Sequence, residues 1–150
     1  MRIRSTLCIA LASLALVACS GHRKLDLPPE QVAEVRGLDE FAVLGMARTL
    51  LFEEIDGEKL KGGFGSSLPS TIDLPEGKHK LRCYYSVKLD GRPGPSGTSD
   101  VELVVEAGSV YQGTVVLDKI DTARVVFSKL SAEDLETERA RKTDNSKGEY

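Results

Sequence analysis

Cys83 and His79 are the thiol and imidazole that a nucleophile–base pair would need in this 150-residue chain. They fall four residues apart in a stretch that alternates apolar and polar residues. Four residues of strand span about 13 Å, at about 3.3 Å each, which is too far for a Cys–His dyad or a shared metal ion. Cys83 therefore reads as a small buried hydrophobe. His79 shares its parity with Leu81 and Cys83 and reads as a side chain at the margin of the core. The stretch Gly62-Gly63-Phe64-Gly65-Ser66-Ser67 lacks the lysine and the following helix of a phosphate loop. Glu53 and Glu54, adjacent on a strand, point to opposite faces, and Glu133-Asp134 suits the start of a helix. Neither is an acid/base pair. His22 is a lone imidazole in a polar stretch. The sequence thus assigns no catalytic residue, no metal site and no cofactor. Two aromatics remain as candidates for ligand contact. Phe64 stands among glycines, with folding back onto the domain as the alternative. Tyr84 lies on a polar strand face with Arg82 and Lys88, with covering the sheet as the alternative.

Composition narrows the partners. Twenty Lys+Arg against 23 Asp+Glu give a net charge of −3, without the basic excess of a nucleic-acid binder. At 41% hydrophobic and 29% charged residues the chain is of folding type, and its length suits one domain. Three cysteines cannot form a stapled disulfide scaffold.

The remaining chemistry lies near the N-terminus. Arg2 and Arg4 precede an apolar run over residues 7–17. That run is too short to cross a hydrocarbon core of about 30 Å as a helix. It ends in Leu16-Val17-Ala18-Cys19, followed by Ser20. The segment resembles the bacterial lipoprotein signal, whose lipobox is an apolar residue, two small or apolar residues, then Cys. The resemblance implies cleavage after residue 18 and a diacylglycerol thioether on Cys19. Two or three acyl chains hold a protein on a membrane where one chain is marginal. In such lipoproteins Asp after the Cys favours the inner membrane. Ser20 therefore points to the outer membrane, facing the periplasm.

Residues 19–31, with Pro28-Pro29 and no periodicity, predict a flexible lipidated tether. Residues 32–36 predict a short strand, and residues 38–47 fit either a helix or a strand. Residues 49–55 predict a strand, and Asp56-Gly57 a tight hairpin turn back into residues 58–61. A short extended piece at 71–74 and a turn at Pro75-Glu76-Gly77 lead to the clearest strand. There Leu81, Cys83, Tyr85, Val87 and Leu89 alternate with Lys80, Arg82, Tyr84, Ser86 and Lys88. Residues 90–99, with three Gly and two Pro, predict a loop. Strands follow at 101–105, 110–117 and 123–130. Short strands with Gly and Pro turns predict an antiparallel sandwich or open barrel over residues 32–130. Ser131-Ala132-Glu133-Asp134 has the form of a capping box, starting a helix to about residue 142. Leu135 is its only large apolar residue, so residues 131–150 read as a charged, partly helical tail.

Asp56-Gly57, Pro69, and the run Ile72-Asp73-Leu74-Pro75-Glu76-Gly77-Lys78-His79 resemble the core pattern of PEGA-type domains. Residues 101–105, Ala107-Gly108 and residues 115–117 resemble its ending. The likeness covers about residues 50–118, with longer connections at 62–67 and 90–99. It implies a small prealbumin-like β-sandwich used as an appended or surface module. The expectation is an all-β, lipid-anchored envelope protein of non-catalytic binding or structural type. Its partners would be the membrane, through Cys19, and another envelope protein. The alternative is a module contacting carbohydrate or peptidoglycan.

Overall fold

Alternating Val, Leu, Ile and aromatic residues build two sheets whose inner faces meet. The computed structural model describes residues 21–39, 45–61 and 68–145, with side chains to residue 142. In chain order these form β1 (His22–Arg23), β2 (Val32–Arg36), β3 (Leu38–Asp39), β4 (Met46–Ile55) and β5 (Glu58–Lys59). There follow β6 (Thr71–Pro75), β7 (Gly77–Leu89), β8 (Arg92–Val105), β9 (Val110–Lys119), β10 (Thr122–Lys129) and α1 (Ala132–Asn145). The first sheet has the order β1-β6-β2-β9-β10. The second has the order β3-β4-β7-β8, with β5 also on β4.

The core lies between them. Ala33, Val35, Ile72, Leu74, Tyr111 and Val115 come from the first sheet; Leu50, Phe52, Leu81, Cys83, Val87 and Val105 come from the second. The rings of Phe52 and Phe127 stack across the gap at 6.1 Å. The expected alternation along β7 holds: Leu81, Cys83 and Val87 are buried, with Lys80, Arg82 and Lys88 exposed.

The all-β sandwich expectation stands at this level, with four corrections. First, the ladders are not all antiparallel. β1 runs parallel to β6, and β2 parallel to β9. Second, residues 90–99 are not a loop. Asp90 and Gly91, with φ of 49° and 75°, make a two-residue hairpin turn, and β8 starts at Arg92. Pro93 and Pro95 are tolerated because β8 is an edge strand, where a missing N–H breaks no ladder on the open side. A bulge opposite Val87 absorbs the irregularity. Third, residues 21–31 are not a free tether. His22 and Arg23 pair with Thr71 and Ile72, and a short 3-10 turn at Pro29–Gln31 leads into β2. Fourth, the helix runs to Asn145 and touches the sandwich through Arg36 Nη1, which donates to Glu138 Oε2 at 2.8 Å.

The segment 38–47 resolves as strand at Leu38–Asp39 and from Met46 onward; residues 40–44 lie outside the described residues. In β4 a bulge at Glu53 resets the alternation, so that Phe52 and Ile55 both point inward. One row crosses the whole first sheet: His22, Thr71, Arg36, Gln112 and Ser128.

Candidate functional site

The turn residues meet in space. Asp56 and Gly57, with φ of 51° and 84°, reverse β4 into β5. That hairpin leans on the start of β7. Asp56 Oδ1 accepts the Lys80 N–H at 2.8 Å, and Asp56 Oδ2 lies 2.7 Å from His79 Nδ1. His79 Nε2 faces the Pro75 carbonyl at 2.8 Å. An ionised carboxylate and a carbonyl only accept, so both contacts are hydrogen bonds when the ring carries both protons. The Lys80 N–H and the His79 ring hold the Asp56 carboxyl below the usual carboxylate range. His79 is buried, as its parity predicts, and joins two turns.

A cleft of about 420 Å³ opens beside this knot on the outer face of the second sheet. Glu54, Lys80, Arg82, Asp100 and Glu102 line it. Its charges neutralise one another. Arg82 donates from Nε and Nη2 to both oxygens of Asp100, at 2.8 and 3.2 Å, and lies 3.6 Å from Glu54. Lys78 Nζ sits 2.7 Å from Glu102. These partners hold Asp100 and Glu102 below their ordinary values and raise Arg82. Carboxylates kept ionised in this way are acceptors for a ligand's donors, not proton donors.

A second concavity, of about 290 Å³, lies between β1, the 3-10 turn and the loop Gly108–Val110. Here the structure shows a pair that the sequence did not announce. His22 Nε2 donates to Asp73 Oδ1 at 2.7 Å, and the Leu25 N–H donates to Oδ2 at 3.2 Å. Asp73 is only 8% exposed. Its alternation out of phase with Ile72 and Leu74 was the available signal; its partner, 51 residues away, had none. Leu27 and Pro29 add apolar lining.

Of the residues singled out from sequence, Tyr84 is half-buried on the outer face of the second sheet, between Leu51 on β4 and Thr98 on β8. Phe64 and Cys19 lie outside the described residues. Cys83 and His79 both face the interior from one strand. Burial pushes the Cys83 thiol up to about 12, so it is not a thiolate near neutral pH. Among the described residues no group of three or more His, Cys, Asp or Glu is placed to hold a metal ion. No helix among them is long and apolar enough to cross a membrane. No family model, curated protein or solved structure matches the chain.

Proposed function

We propose that the chain is a bacterial lipoprotein of the cell envelope, held by lipid on Cys19. Its sandwich would be a PEGA-like, prealbumin-type module that binds or supports a partner without catalysis. The observation that carries the anchor is Leu16-Val17-Ala18-Cys19 closing an apolar run, two residues ahead of Gly21, whose carbonyl is hydrogen-bonded to the domain. Support for the PEGA-like class comes from Asp56, Pro75 and His79. These motif residues, distant in sequence, form one hydrogen-bonded knot. Ser20 after the Cys favours the outer membrane, with the domain on the periplasmic side. The partner would be another envelope protein that meets the paired charges of the Glu54–Arg82–Asp100 cleft.

The test is expression of wild type and Cys19→Ser in a bacterial host with labelled palmitate, followed by detergent phase partitioning. The wild type takes up label and enters the detergent phase; the variant does neither and keeps its N-terminal segment. Equal partitioning of the two overturns the anchor.

A second reading, contact with cell-wall glycan, is favoured by Tyr84, two residues along the same outer face from Arg82. Co-sedimentation with isolated peptidoglycan that is lost in Tyr84→Ala would select it.

A further inference from the structure

The absence of a free tether fixes how the domain meets the membrane. The Gly21 carbonyl accepts the N–H groups of Ser70, at 2.7 Å, and Thr71, at 2.9 Å. Cys19 is two residues earlier, and two peptide steps of 3.80 Å reach at most about 8 Å. Under the anchoring reading, on which this inference rests, the lipid-bearing residue stays within that distance of the β1 edge. We infer that the flank of the sandwich formed by β1, β3 and β5 lies directly against the headgroups of the bilayer that holds the lipid.

The two ends are too far away, the outer face of the first sheet is occupied, and the outer face of the second lies a further sheet spacing of about 10 Å from β1. Gly21 precedes the row that ends β2, where Arg36 pairs with Gln112. Beyond that row β9 runs on from Gly113 to Lys119, about 23 Å at about 3.3 Å per residue. A bilayer across that end would be out of reach of Cys19. The opposite end, at Pro75, is four residues further along β6 from Thr71, or about 13 Å. The outer face of the first sheet carries α1 through Arg36 and Glu138. The flank is left. There the β4–β5 hairpin comes alongside β1, with Arg23 Nη2 at 3.9 Å from Glu58.

Charge on this flank is mixed. Arg23, Lys24, Lys59 and Lys61 stand with Asp39 and Glu58. The reach of the anchor sets the orientation, and the small basic excess adds only to its strength on anionic lipid. Neutral and anionic bilayers should give the same orientation.

The experiment uses the full-length lipidated protein in phosphatidylcholine vesicles, with and without phosphatidylglycerol, carrying a headgroup spin-labelled lipid. An environment-sensitive fluorophore is placed at Lys24→Cys, Lys59→Cys or, on the far hairpin tip, Asp121→Cys. Cys83 is buried and does not compete for label. Quenching several-fold stronger at positions 24 and 59 than at 121, in both lipid mixtures, is expected. Hydrogen exchange of the unsubstituted protein should show vesicle-induced protection at residues 22–25 and 58–61. Equal quenching at all three positions in a protein whose mass shows the lipid overturns the flank contact alone. A protein without lipid mass on Cys19 overturns the anchor, and the flank contact with it.

Discussion

Gly37 is packed so closely on Leu50 that a methyl group added to it would stand 2.0 Å from the Leu50 carbonyl oxygen. This is where the chain leaves the first sheet at the end of β2 and enters the second as β3. The backbone there is fixed from two sides. The Gly37 N–H donates to the Ser70 carbonyl, and the Gly37 carbonyl accepts from Gln112 Nε2 at 2.9 Å. The crossing thus has no room for a β-carbon, because the nearest atoms are backbone and cannot rotate away.

Gly37→Ala should therefore destabilise the domain by about 1–3 kcal/mol, the usual range for overpacking a well-filled site. Urea unfolding of the two proteins is the measurement. A lower midpoint with an unchanged slope is expected, since the surface exposed on unfolding stays the same.

The Asp56 knot makes a pH-dependent contribution whose sign follows from its cause. The Asp56 carboxyl is held below its ordinary value of 3.8 by the Lys80 N–H and the His79 ring. The stabilisation is fully present above that ordinary value and is lost as the pH falls through the lower, folded one. Asp56→Ala should be less stable than wild type at pH 6, and in strong acid the gap should narrow to the pH-independent cost of Ala at positive φ. Asp56→Asn should lose less at pH 6, because Asn tolerates the positive φ that the turn requires. Thermal midpoints of the three proteins across pH 2–7 check this.

Cys83 should react slowly with a thiol reagent in the native domain and rapidly in denaturant. It is fully buried, and desolvation pushes its thiol up to about 12. Rapid labelling of the native domain would invert the inward face of β7.

Truncation after Leu130 should cost little. The helix is capped by Ser131, whose Oγ accepts the Asp134 N–H at 3.1 Å. It holds the sandwich through Arg36 and Glu138, and Leu135 is half-buried. A partly exposed ion pair of this kind contributes about 0–1 kcal/mol. The melting midpoint should fall by a few degrees, and Glu138→Ala alone should reproduce part of that fall.

Where a strand buries one face, the sequence is readable. β7 shows its inner row from Leu81 to Leu89 because every second side chain meets the core. The Asp56-Gly57 turn shows itself because few other residues accept positive φ at both positions; the same pair at Asp90-Gly91 was masked by the Gly and Pro residues after it, which read as a loop. β8 was hidden for the opposite reason. Arg92 to Ser99 has no apolar alternation to read and is held by pairing with β7 at the sheet edge. β1 was hidden likewise: two residues of backbone ladder and a His22–Asp73 bond leave no local pattern. Of the candidate contacts, Tyr84 fell on the face its parity gives, whereas the Asp73 partner depended on a pairing between distant segments.

Pro93 and Pro95 have a consequence for the molecule among its neighbours. A long strand at a sheet margin offers unpaired donors and acceptors on which another copy can add a strand. β8 is such a margin. Two residues that cannot donate interrupt the template along its first half, and the bulge opposite Val87 turns that stretch out of line. The irregular composition of this strand thus guards against intermolecular sheet growth, and replacing both prolines by threonine should increase self-association of the domain.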